Sequence, residues 1–122
     1  MHDEPIDWKY VDQKVRELIA LRGYHIAWEW HNGRCDDCEF VFDAQGQTKG
    51  TLDGYTPTNS EMLDAIEKQK LTVTHTKKTV KLEDKYSNKP VAGKGTRLMY
   101  AYLDWLINIE KQKSEEKQCA AN

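Results

Sequence analysis

His31, Cys35 and Cys38 stand in the pattern H-x₃-C-x₂-C, the densest run of metal-ligating side chains in the sequence. Two thiolates three positions apart can reach one tetrahedral ion, so such a hook is half of a zinc site. The other half does not follow. No second cysteine pair and no histidine pair at ligand spacing appears downstream, and the fourth donor would have to be His25, His75 or Cys119. Asp36 and Asp37 sit between the cysteines, and their negative charge raises a thiol pKa rather than activating it for redox work. The expectation is a pair of reduced thiols with no bound metal and no cofactor. His31, Cys35 and Cys38 are kept as the metal candidates.

A second group could hold anions. The run Pro90–Arg97 (PVAGKGTR) places glycines, a lysine and a hydroxyl ahead of an apolar helical segment. Backbone N–H groups and a helix dipole at such a start can hold a phosphate. The phosphate-loop pattern G-x₄-G-K-[ST] is absent, because Lys94 falls between the glycines. Lys77, Lys78, Lys81, Lys94 and Arg97 are the candidates for contacting nucleic acid or another anion. The segment from Lys68 to Arg97 has Tyr86 as its single aromatic residue, so the stacking platforms of single-strand binders are missing.

A third group suits a protein partner. Glu29, Trp30, Asp36, Asp37 and Glu39 combine an aromatic anchor with acidic neighbours, and tryptophan is over-represented in binding hot spots. No nucleophile elbow, His-Glu-x₂-His motif or kinase-type loop occurs, so the residues suggest no enzyme.

The charge distribution frames these groups. Residues 1–67 carry six basic and fourteen acidic side chains, net −8; residues 68–97 carry nine and two, net +7; residues 98–122 carry three and four, net −1. A dipolar surface of this kind steers association with a charged partner. The chain has 122 residues, 39% hydrophobic and 31% charged, which suits one domain with a single core and excludes a disordered chain. The three cysteines do not form a secretory disulfide framework. The N-terminal MHDEPIDW lacks the basic and apolar regions of a signal peptide, and no apolar run approaches the roughly 20 residues of a membrane helix. The expected location is the cytoplasm, with no membrane partner.

The elements that must position these residues follow from periodicity and caps. Asp7 can cap a helix over 7–22, with Trp8, Val11, Val15, Leu18, Ile19 and Arg22 on one face and Gly23 after its end. Tyr24–His31 alternates as a strand, Asn32-Gly33 fits a type I′ turn, and a return strand runs from about Cys38 to Asp43 with Phe40 and Phe42 on one face. Trp28, Phe40, Tyr102 and Leu106 are the aromatic and apolar residues assigned to the core. A short third strand is expected around Lys49–Leu52. Thr58-Asn59-Ser60-Glu61 is a capping-box pattern that opens a second helix ending near Gln69, with Met62, Leu63 and Ile66 as its apolar face. Leu71–His75 and Val80–Glu83 alternate as a second hairpin. Tyr86–Gly95 reads as a loop and Thr96 as the cap of a last helix reaching Lys113.

Between Leu98 and Ile109 only Asp104 and Asn108 are polar, so that last helix must be buried on most of its circumference. Its apolar surplus suggests a central position or a homodimer through this helix. The sequence therefore predicts an α+β fold in the order α-β-β-(β)-α-β-β-α. Three helices would pack on a mostly antiparallel sheet of four to five strands built from two hairpins. Residues 1–113 would form one domain and 114–122 a disordered polar tail. The predicted activity is that of a small non-enzymatic regulator or inhibitor docking electrostatically on another macromolecule, a protein in the first instance. Nucleic acid bound by the 68–97 segment, with zinc on the first hairpin, is the alternative.

Overall fold

The computed structural model describes residues 5–28, 39–85 and 88–120. Helix α1 spans Trp8–Leu21, and strands β1 (His25–Trp28), β2 (Glu39–Phe42) and β3 (Thr48–Thr51) follow, then a 3₁₀ turn over Leu52–Tyr55. Helix α2 (Asn59–Lys68) leads into β4 (Thr72–His75), β5 (Val80–Glu83) and β6 (Ala92–Gly95), and helix α3 closes the order at Leu98–Ala120.

The fold is α+β, but the strands form two antiparallel sheets of three, β1-β2-β3 and β4-β5-β6, rather than one sheet of four to five. The chain thus runs through helix and three strands twice before it reaches α3. The sheets stay apart because each half closes its own core against a different part of α3. In the second half, Ala101, Tyr102 and Trp105 of α3 pack with Met62, Leu71, Val80 and Leu82. In the first, Leu103 packs with Val11, Val15 and Ile19 of α1 and with Val41 and Leu52. The apolar circumference that suggested a homodimer is therefore covered largely within the chain. Truncating a side chain as buried as Trp105 would cost on the order of 3–5 kcal/mol.

The caps follow the sequence closely. The Asp7 carboxylate accepts from the N–H groups of Lys9 and Tyr10, and Gly23 takes φ +81° after the helix. Thr58 Oγ1 accepts from Glu61 N–H at 3.1 Å and opens α2. The Asp7 N–H donates to Tyr100 Oη at 2.8 Å, and the Tyr10 and Tyr100 rings meet edge to face at 4.9 Å, so the starts of α1 and α3 are fastened together.

The main departure lies at residues 92–95. The expected loop is strand β6, the edge of the second sheet, with Gly93 opposite Leu82 and Gly95 opposite Val80. A Cβ on Gly93 would lie 2.3 Å from both Ala101 O and Trp105 N, and one on Gly95 would lie 2.6 Å from Tyr100 Cβ. Only a strand without side chains on this face can approach α3 so closely. The two polar residues of α3 then have their reason. Asp104 Oδ2 accepts from Lys94 N–H at 2.9 Å, and Asn108 Nδ2 donates to Ala92 O at 2.7 Å. They satisfy backbone groups that an edge strand would otherwise leave open.

Helix α3 begins at Leu98, and the carbonyl that accepts its first helical bond, from Ala101, is that of Arg97 rather than Thr96. It continues past Lys113 to Ala120; Ser114–Gln118 is rich in Glu, Lys and Gln, which favour helix. On β2 the buried residue is Val41, while Phe40 and Phe42 lie half-buried on the opposite face, with Phe42 stacked on His25 at 5.6 Å. The alternation was correct and its phase reversed, because the smaller Val41 fits against α1. Two residues placed on apolar helix faces are instead exposed: Trp8 at 58% and Leu63 at 61%.

Candidate binding surfaces

Among the described residues, most carboxylates of the acidic half are engaged within the chain. The Arg16 guanidinium donates to both oxygens of Glu39, at 3.1 and 2.9 Å, and to Asp12 at 2.8 Å, clamping α1 to β2. These hydrogen bonds, to Glu39 first and Asp12 second, push the Arg16 pKa further up. Asp43 is buried at the turn after β2. Its Oδ1 accepts from Gln45 N–H and Gln47 N–H, each at 2.9 Å, and Lys49 Nζ lies 3.7 Å from Oδ2. The Gln47 bond above all, then that of Gln45 and the Lys49 charge, hold its pKa below the usual carboxylate range. Glu17 lies near Lys14 and Lys111, and Asp64 near Lys68. Of the acidic candidates, Glu39 is thus already engaged by Arg16. Glu29, Trp30, Asp36 and Asp37 lie outside the described residues, as do the metal candidates His31, Cys35 and Cys38 and the Asn32-Gly33 turn. Among the described residues no group of three or more His, Cys, Asp or Glu side chains is placed to hold a metal ion.

One surface of this half does stand open. Trp8 borders a cleft of about 170 Å³ whose floor is Val11, Val15 and Leu52 and whose rim carries Asp12 and Asp53. An exposed indole over an apolar floor with carboxylates beside it can take a basic side chain. The aliphatic stem of an Arg or Lys would lie on the floor, with its cation against the ring face and Asp53. The sequence offered one sign of this role: Trp8 is the first residue of α1, one turn before the stripe Val11, Val15, Leu18 and Ile19 that makes the core.

The basic half is arranged differently. β4 and β5 are joined by the two-residue turn Lys77-Lys78, closed by Thr76 N–H donating to Thr79 O at 2.8 Å. On the sheet face away from α3, Lys81 stands directly opposite Lys94. At the end of the same sheet a cleft of about 300 Å³ opens between the turn and the start of α3, lined by His75, Lys78, Thr96 and Arg97 with Thr76 and Thr79, and by the apolar Val80 and Leu98. All five basic candidates therefore meet at one end of the second sheet, an arrangement that depends on β6 being a strand. Within the run Pro90–Arg97, Gly93 and Gly95 serve the contact with α3.

No family model, curated protein or solved structure matches the chain.

A third cleft, of about 340 Å³, lies where the two halves meet, between Leu18, Arg22, Tyr55, Glu61, Tyr102 and Leu106. Burial, then the nearby Glu61 carboxylate, push the Tyr102 phenol up. The cations here are partnered: Arg22 reaches Glu110 at 3.6 Å, and Lys49, also on its wall, reaches Asp43. Among the described residues no helix is long and apolar enough to cross a membrane.

Proposed function

We propose that this protein is a small, non-enzymatic binding protein that docks on a basic surface of another protein through its acidic first half, with Trp8 as the anchor. The observation that carries the reading is the position of Trp8: 58% exposed, beside an apolar cleft edged by Asp12 and Asp53. A tryptophan carries one of the largest apolar surfaces of any side chain and is worth most when fully covered. Leaving it open in a half-molecule of net −8 suits a partner that brings both apolar cover and positive charge.

The test compares two forms of the tagged full chain in lysate treated with nuclease, the native sequence and Trp8→Ala. The expected result is a protein that binds the native form, is released by high salt, and is not retained by Trp8→Ala. Trp8→Ala should lower stability by less than about 1 kcal/mol, as suits a mostly exposed side chain. Capture of the same proteins by both forms would overturn the reading.

A further inference from the structure

We infer that the cationic end of the second sheet is a separate interaction surface that binds the phosphate backbone of nucleic acid. This inference does not rest on the Trp8 cleft. It starts from an arrangement that is unfavourable as it stands. Lys81 and Lys94 face each other across neighbouring strands, and like charges in that position repel. Two further lysines form the adjoining turn, and Arg97 lines the cleft beside it. Lys77, Lys78, Lys94 and Arg97 make no ion pair among the described residues, and Lys81 is paired with Glu83 at 3.8 Å. A cluster of five cations with one paired carboxylate is left with a surplus of positive charge that an external anion would neutralise.

The kind of anion follows from what surrounds the cations. The hydroxyls of Thr79 and Thr96 share the cleft with Lys78 and Arg97, while that of Thr76 donates to Thr79 O at 3.2 Å within the turn. Arg, Lys and Ser/Thr side chains are the usual donors to phosphate oxygens. A docking site for an acidic protein would carry an apolar or aromatic anchor. The exposed large apolar side chains among the described residues, Trp8 and Leu63, belong to α1 and α2 and not to this end. The geometry also fits an extended polyanion. Lys81 lies three residues from Lys78, a span of about 10 Å along the strand, and Lys94 is one strand, roughly 5 Å, to the side. Phosphates recur about every 3.4 Å of axis on each strand of a duplex, so a patch of this size meets several of them. Because Val80, Leu82 and Gly93 of the inner face pack towards α3, Lys81 and Lys94 project away from it, and so from the acidic half that lies across that helix.

The experiment measures binding of the full chain to a labelled mixed-sequence duplex over a range of salt. Neutralising about four phosphates gives a slope of about −3.6 in log K against log salt, a loss on the order of a hundredfold between about 50 mM and about 200 mM. Lys81→Ala, Lys94→Ala and Arg97→Ala should each flatten the slope by roughly one and weaken all sequences alike. Lys68→Ala, which removes a cation already paired with Asp64, should leave the slope unchanged. Melting curves establish that each variant is folded. Absence of binding at low salt overturns the inference, and so does a slope that these three substitutions do not alter. Parallel titrations use vesicles containing anionic lipid. Binding to vesicles but not to the duplex would likewise overturn it, assigning the patch to a membrane surface.

Discussion

The two halves share an order, one helix followed by three antiparallel strands, yet they reach α3 by different means. The first half meets it mainly through α1, and its sheet is braced by charge: Arg16 grips Glu39, and Asp43 gathers the turn before β3. The second half lays its sheet directly on α3, and two glycines let the backbones touch. The difference teaches where charge becomes available for binding. Acidic side chains that serve as braces, as Glu39 and Asp43 do, are no longer free to meet a partner, whereas Trp8 stands open. A sheet held largely by close backbone packing and apolar contacts needs few charged braces, and Lys77, Lys78 and Lys94 make no ion pair among the described residues.

The sharpest way to break this comparison is to refuse the second sheet its approach. Gly93→Ala puts a methyl group 2.3 Å from two backbone atoms of α3, and we expect a loss of about 3 kcal/mol or more in urea unfolding. Gly54→Ala, whose Cβ would meet only Thr51 Oγ1 at 3.5 Å, should cost under about 1 kcal/mol. Equal losses at the two positions would remove the contrast between the halves.

The first half should fail by a different route and by less. A double-mutant cycle on Arg16→Met and Glu39→Gln should return a coupling of about 1 kcal/mol or less. Its geometry is two-pronged, but Arg16 is 41% exposed and solvent screens the pair.

Acid sharpens the comparison further. Because the folded-state pKa of Asp43 is depressed, its contribution is complete above the ordinary carboxylate range and is lost as pH falls through the folded value. As pH falls below the ordinary carboxylate range and through the depressed folded value, the amides of Gln45 and Gln47 should lose protection from hydrogen exchange while those of β5 keep theirs. Simultaneous loss in both sheets would show that Asp43 is no separate brace. The smallest effect is expected at Lys94→Ala, where relief of the cross-strand repulsion should raise stability by a few tenths of a kcal/mol.

Much of the fold was legible, and the reasons are local. Asp7, Gly23, and the pair Thr58 and Glu61 announce helix ends through short-range hydrogen bonds, and 71–75 and 80–83 alternate visibly. Strand β6 was not legible, because its inward positions are glycines and carry no side chain to show a period of two. Without that strand the sequence could not show that Lys81 opposes Lys94, nor explain Asp104 and Asn108 on an otherwise apolar helix. Those two residues were conspicuous, yet their partners are backbone groups, which leave no trace in residue identity. The separation into two sheets was hidden for a related reason. An apolar helix announces that it is covered, but not by how many bodies. Of the candidate site residues, the five cations could be named from the sequence but were brought to one end of a sheet only by the fold, whereas Trp8 was placed on the apolar face of α1 by spacing and is exposed.

The position of α3 at the end of the chain order has a consequence for synthesis. Val11, Val15 and Ile19 leave the ribosome first, but Leu103, which completes their cluster, emerges more than eighty residues later. Met62, Leu71 and Leu82 wait in the same way for Trp105. Neither half can close in the order in which it is made. The nascent protein therefore holds two unfinished apolar faces until one helix arrives, and that helix completes both at once.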